Sequence, residues 1–175
     1  MGENVLQKHV AHKLIECVTQ DAMGNSIKAL YLTFNDHKTA WIELSKAYGL
    51  ADVPVVKRNI ALASTFGTGL MVKDAISKCC IEIILGFGAS ATNDGGAAIF
   101  QALGGNQQDK SGNELNKGGG VFLSELHLII SLKNLNHIKW KVVFDSPLLG
   151  INGATAVYGP KKELHHKTSY YLNKV

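Results

Sequence analysis

The sequence predicts an α/β fold: a mixed or mostly parallel sheet layered with helices, joined by glycine-rich strand-to-helix loops. Three observations carry that expectation. Ile81 to Leu103 (IEIILGFGASATNDGGAAIFQAL) reads as strand, polar glycine loop and helix. From Thr65 to Leu103 the order is loop, helix, strand, loop, helix. The strand, with Ile81, Ile83, Ile84 and Leu85, is too apolar to have a wet face, and strands buried on both faces belong to parallel or mixed sheets in α/β layers.

The chain of 175 residues is within the range of a single domain, 1–175, with enough apolar residues to bury a core. Eighteen Lys and Arg against fourteen Asp and Glu give a net charge of +4. The lysines are scattered and not interleaved with aromatics, so the charge suits a small anionic ligand and does not argue for nucleic acid. Cys17 and the adjacent Cys79 and Cys80 form neither a disulfide framework nor a zinc spacing, and read as reduced, mostly buried thiols. No charged-then-apolar leader opens the sequence and no apolar run approaches bilayer length. A soluble cytoplasmic protein with no membrane partner is the expectation.

Along the chain, Met1 to Val18 places Val5, Val10, Leu14, Ile15 and Val18 near helical spacing. His9 and His12 share a face there, without a third metal ligand. Gln20 to Ser26 is a turn by composition. Ile27 to Phe34 and Thr39 to Leu44 alternate as strands around the tight connection Asn35-Asp36-His37-Lys38, which predicts a hairpin. Glu43 reads either as a site acid or as a solvated strand end, ahead of a short helical piece to Gly49-Leu50. Ala63 to Gly69 (ASTFGTG) is a second glycine and hydroxyl turn that opens a helix with Thr68 as its cap and Val72, Ala75, Ile76 and Cys79 on one face. Gly104 to Gly120 reads as a mobile loop. Phe122 to Leu132 and Ile138 to Phe144 read as strands, and Gly150 to Pro160 as a third glycine-rich segment with Asn152 and Thr155 available as caps. Glu163 to Val175 shows no periodicity.

The loop after Leu85 carries the chemistry. Gly86, Gly88, Gly95 and Gly96 surround Ser90, Thr92, Asn93 and Asp94, more polar groups than a helix cap needs. The unpaired N–H groups of a helix start favour an anion, and glycine lets its oxygens approach the backbone. In α/β sheets such loops gather ligands at the carboxyl ends of strands. There is no GxxxxGK[ST], so this is not a P-loop. Gly86-Phe87-Gly88-Ala89-Ser90-Ala91 does match a dinucleotide fingerprint, with Asp109 at the distance of a ribose-binding acid. Asp94, however, sits at the helix mouth where a pyrophosphate would lie. An acid beside a phosphate makes sense where Mg²⁺ bridges the two or where the acid takes the proton of an attacking hydroxyl, so phosphoryl transfer to an alcohol fits the loop better than hydride transfer.

The stretch GFGASATNDGGAAIFQALG resembles the GGSATNDGG signature of the type I glycerate kinases. The likeness continues in order. TAWIELSKAYGL from Thr39 is similar to T-A-x-I-E-M-A-x-x-S-G-L. Lys57-Arg58-Asn59 with Thr65 to Gly69 is similar to K-R-N-P followed by T-x-G-T-G. Ser111 to Leu115 with Gly118-Gly119-Gly120 is similar to D-G-x-x-L and G-G-G, and PLLGINGATAVYGPKK from Pro147 to N-P-L-x-G-x-x-G-A-x-x-x-F-G-P-Q-K-G. The resemblance spans about Ile27 to Lys162. It implies one of the two α/β domains of a glycerate kinase-like fold, with ATP and Mg²⁺ as cofactors and phosphate transferred to a hydroxyl of D-glycerate. By it, Ser90, Thr92, Asn93, Gly95 and Gly96 contact substrate or phosphate, and Asp94 is the catalytic base or metal ligand. Arg58 pairs with the glycerate carboxylate, and Thr65, Thr68 and Asn152 are further polar contacts. Ala89 replaces a family glycine, Lys161 stands where glutamine is usual, and the family's P-D-S-F-K-G-S and A-D-G-G-E-G motifs are not in this sequence. That leaves a truncated enzyme or a non-catalytic domain that binds a small anion or a protein partner, either a second copy or a chain supplying the other domain.

Overall fold

The structure is a computed structural model that describes residues 11–49, 59–88, 91–130 and 135–143. Its centre is a sheet in the order β1-β2-β3-β4-β7, built from β1 (Lys13–Gln20), β2 (Ser26–Phe34), β3 (Thr39–Glu43), β4 (Glu82–Gly86) and β7 (Lys139–Val143). The first two pairings are antiparallel; β3–β4 and β4–β7 are parallel. Two reversals in succession leave β1 running the same way as β3, β4 and β7. Their carboxyl ends, at Gln20, Glu43, Gly86 and Val143, therefore lie along one edge of the sheet.

Both turns of the antiparallel part follow from their residues. At the first, Asp21 Oδ1 accepts the N–H groups of Met23 and Asn25, each at 2.9 Å, and Gly24 takes φ 87°. At the second, Asn35, Asp36 and His37 all have positive φ, 53°, 53° and 64°, which short polar side chains tolerate better than branched ones. Thr33 and His37 close that turn with a 2.8 Å contact between Oγ1 and Nδ1. The hairpin expected from Ile27 to Leu44 is thus present.

The helical spacing expected for 1–18 does not describe residues 13–18, which lie in β1; residues 1–10 are outside the described set. Cys17 and Thr19 are buried while Leu14, Glu16 and Val18 are exposed, and Ile15 faces Tyr31 as Cys17 faces Ala29. Register with β2 selects the two-residue period that the apolar spacing left open.

Between β3 and β4 come α1 (Ser45–Tyr48) and α2 (Phe66–Ser77). Met71, Val72 and Ala75 of α2 are fully buried and join Tyr31, Ile42 and Ile83 in one core on that face of the sheet. Tyr31 also donates its hydroxyl to Asp74 Oδ2 at 2.8 Å, fixing the far end of the helix. Thr68 is not the cap: Thr65 holds that position and Thr68 lies inside the helix, with its Oγ1 buried and without a hydrogen-bond partner. Gly67 and Gly69 are likewise helical. A Cβ on Gly67 would meet Gln20 O at 1.9 Å, and one on Gly69 would lie 2.5 Å from Ala102 Cβ and 2.9 Å from Ile99 Cα. These glycines let the start of α2 press against β1 and α3 (Ala97–Ala102).

Residues 104–120 are not a bare loop. β5 (Asn106–Gln108) pairs antiparallel with β6 (Leu128–Ile130), and Asp109 Oδ1 accepts the N–H groups of Ser111 and Asn113, winding the following turn. The strand expected over 122–132 is a 3₁₀ helix (Gly120–Glu125) in its first part and β6 afterwards; residues 131–134 are outside the described set. Gly118 and Gly119, at φ 89° and 82°, turn the chain into that helix before alternation can take hold. β7 matches its expected strand, but all five of its residues are exposed. Among the described residues no helix is long and apolar enough to cross a membrane.

Replacing Gly69 by alanine inserts a methyl into the α2–α3 contact and should lower stability by about 1–3 kcal/mol, read as a lower urea midpoint at unchanged m. Gly88, with nothing within 4 Å of a Cβ, should accept alanine with a change within about 0.5 kcal/mol.

Candidate functional site

Two helices begin beside the carboxyl edge of the sheet. The start of α2 is located there by Gly67 against Gln20, by Thr19 Oγ1 donating to Gly67 O at 2.6 Å, and by Ser64 N donating to Ala22 O at 2.9 Å. The start of α3 follows the loop that leaves β4 at Gly86, where Gly95 and Gly96 take φ 58° and 82° and Gly96 stands at the cap position. The sequence-predicted arrangement of strand, glycine loop and helix is present as read.

Asp94 joins the two starts. Its side chain is 1% exposed. Oδ2 accepts the Thr65 N–H and the Thr65 hydroxyl, both at 2.8 Å, and Oδ1 accepts the Gly96 N–H at 3.2 Å. The Thr65 oxygen in turn accepts the Ile99 N–H at 3.2 Å. One carboxylate thus caps both helices, since Thr65 is the residue before α2 and Gly96 the residue before α3. Burial pushes its carboxyl above the ordinary range, against the N–H and O–H donors of Thr65, Gly96 and Ala98, which pull the other way.

Of the other residues selected from sequence, Thr92 is buried, Asn93 and Gly96 are half-buried and Gly95 is exposed, all on the same loop. Thr65 is brought directly to Asp94. Thr68, two turns of argument away from any ligand, is enclosed in the body of α2. Arg58, Ser90 and Asn152 lie outside the described residues. Asp109 does not serve a dinucleotide: its Oδ2 accepts Asn113 Nδ2 at 3.0 Å, the bonds from Asn113 and Ser111 hold its carboxyl below the usual range, and β5 belongs to a separate two-stranded ribbon, not to the sheet beside β4.

Sequence reasoning missed Gln101. On α3 and 8% exposed, it donates Nε2 to the carbonyls of Leu115 and Asn116 at 3.1 and 3.4 Å and accepts the Gly118 N–H on Oε1 at 3.2 Å. It binds the Gly118 turn to the back of the helix that Asp94 caps. A Cβ on Gly118 would lie 1.8 Å from Ser64 Oγ and one on Gly119 3.0 Å from Ala61 O, so the turn rests on the segment leading into Thr65. The available signal was a polar side chain in an otherwise apolar helix, AAIFQAL.

This is an α/β domain whose polar loops converge at one end of a mixed sheet, held by a buried acid. The glycerate kinase family's sequence profile matches residues 2–174, beyond the span read from motifs, and the chain belongs to that family. It is 41% identical over 168 residues to a glycerate kinase of Bacillus subtilis (strain 168), covering 92% of this chain and 44% of that protein. It is 37% identical over 165 residues to the glycerate 2-kinase of Escherichia coli (strain K12), covering 87% and 43%. The fold superposes with a TM-score of 0.91 and 33% identity on a crystal structure assigned as glycerate kinase 2 from Salmonella typhimurium LT2, over 98% of this chain and 47% of that one. The chain therefore spans less than half the length of these relatives.

Asp94→Asn puts an NH₂ where one oxygen accepts, and Thr65→Val removes a donor to Asp94 together with the acceptor of Ile99. Each should cost about 1–3 kcal/mol in urea unfolding, with Thr65→Ser close to the parent. The double variant should fall short of the sum, because both changes break the same network.

Proposed function

We propose that the chain takes part in the ATP-dependent phosphorylation of a hydroxyl of D-glycerate, as a cytoplasmic enzyme of the glycerate kinase family. The observation that carries this reading is the joining of two helix starts and their polar loops by Asp94 at the carboxyl edge of the sheet, in a chain of that family. Phosphoryl transfer asks little covalent chemistry of a protein. Positioning and charge stabilisation supply most of the acceleration, and a loop fixed at both ends is suited to positioning.

In this reading Ser90, Thr92, Asn93, Gly95 and Gly96 present the loop to substrate or phosphate, Arg58 takes the glycerate carboxylate as a bidentate partner, and Asn152 adds a polar contact. ATP enters as the phosphate donor with Mg²⁺. The donor set at Asp94 does not suit a resident metal, because its oxygens already meet N–H and O–H donors from Thr65 and Gly96. Asp94 and Thr65 then act by holding the loop in register with α2. Taking the substrate proton would require Asp94 to give up Thr65.

A second reading, a domain that binds a protein partner, has one observation in its favour. Leu128, Ile129 and Ile130 of β6 are 49%, 56% and 44% exposed in succession, an apolar strand of the kind that monomers seldom leave uncovered.

The kinase reading is tested by coupled ADP release from Mg·ATP with D-glycerate. Turnover should appear in this chain and fall by about a hundredfold in Asp94→Asn, the scale of loss from misplaced reacting groups. No glycerate-dependent ADP release from protein shown by circular dichroism to be folded would remove it. For the second reading, light scattering should give a mass above 18.9 kDa that returns to the monomer value in Ile129→Lys; a monomer in both would dispose of self-association.

A further inference from the structure

Lys117 is a cation held in place without an acid. Its Nζ lies 5.3 Å from the centroid of the Phe66 ring, and Phe66 is the first residue of α2, next to the Thr65 that holds Asp94. Phe66 is also fixed, its N–H donating to Ser64 Oγ at 3.1 Å. The backbone on both sides of Lys117 is pinned by Gln101, which takes the carbonyls of Leu115 and Asn116 before it and the N–H of Gly118 after it. Gly118 packs on Ser64, and Val121 N donates to Ala61 O at 3.2 Å. An ordinary surface lysine keeps most of its rotamer freedom. This one is exposed yet anchored at its root and stacked at its tip.

No carboxylate of the described residues pairs with it; the ion pairs there join Lys28 to Glu16, Lys78 to Asp74 and Lys141 to Glu82. Asp94, the acid of the neighbouring loop, is buried and committed to Thr65 and Gly96. The positive end of the α2 dipole adds to the charge of the ammonium. Such a site lacks an anion, and stacking on an aromatic face leaves the ammonium's other side available to one.

We infer that Lys117 is an anion-binding residue of the candidate site, taking an anionic oxygen of the ligand, and that Gln101 and Phe66 are the residues that position it. Two sources offer that oxygen, the phosphate tail of a nucleotide and the carboxylate of a small hydroxy acid. The inference rests on the glycerate-phosphorylation reading for these two sources and not for the existence of the anion site.

The test is isothermal titration of the full chain with tripolyphosphate and, separately, with D-glycerate, each at low and high ionic strength. Lys117→Met should raise the Kd of one probe about tenfold, as expected for losing a charge-assisted contact, and flatten its salt dependence. Lys117→Arg should stay within about threefold, and Phe66→Leu, which keeps the charge and removes the ring, should lose about two- to fivefold. The probe that responds identifies the group bound. Failure of the parent chain to bind either probe, or equal affinities in the parent and Lys117→Met, would overturn the inference. Parent-like KM values in a Lys117→Met chain that still releases ADP would overturn it and leave the kinase reading standing. Lys117-dependent binding of tripolyphosphate by a chain that releases no ADP would support it and remove the kinase reading instead.

Discussion

A carboxylate as enclosed as Asp94, at 1% exposure, is tolerable only where other donors replace its lost water, since an unpaired buried charge costs several kcal/mol (~3–5) when a partner is removed. Thr65 provides its N–H and its hydroxyl, and Gly96 provides an N–H. Those donors come from the residues before α2 and α3, so meeting the carboxylate's demand also fixes where both helices start. The contact of Gly69 with Ile99 and Ala102 follows from it, because the two helices can approach that closely only in one relative placement. The Gly118 turn follows in its own turn, resting on Ser64 and tied to Gln101.

The sheet supplies the other half of the arrangement. The parallel pairing of β3 with β4 requires a crossover, and α2 is that crossover, running back over the core face from the carboxyl edge. A helix that returns in this way must begin near the strand ends. The loop after β4 opens at the same edge, so topology alone brings residues 64–65 and 86–96 together, and Asp94 converts proximity into a fixed geometry.

The legible parts of the sequence were those decided by neighbours in the chain. The strand at Ile83 and Leu85, the glycine loop, and the β2–β3 hairpin with Asn35 and Asp36 at its turn are set by local periodicity and turn chemistry. What could not be read was decided by partners far along the chain. Leu14, Ile15 and Val18 satisfy a helical period, and only pairing with β2 reveals Cys17 and Thr19 as the inward residues. In ASTFGTG either threonine could cap the helix; the choice of Thr65 depends on Asp94, 29 residues away. Gly67 and Gly69 look like turn glycines because the sequence does not show what presses on them. Gln101 gave only a weak signal, since its three hydrogen bonds reach residues 14 to 17 positions later.

The network around the site is closed within residues 61–121. Asp94, Thr65 and Ile99 tie the front of α3 to α2, Gln101 ties its back to the turn at 115–118, and that turn returns to Ser64. A ring of contacts of this kind resists the displacement of any one member, because moving the loop at Asp94 also strains the turn that carries Lys117. Rigidity of this sort is what phosphoryl transfer asks of a scaffold, as alignment of donor and acceptor contributes more than any single proton transfer. It also separates two kinds of residue that the sequence presents alike. Asp94, Thr65 and Gln101 have spent their hydrogen-bonding capacity on the protein, whereas the Lys117 ammonium has a ring and no acid beside it. Polar groups turned inward set the geometry of the site, and the cation left without a counterion is the one with affinity to offer a ligand.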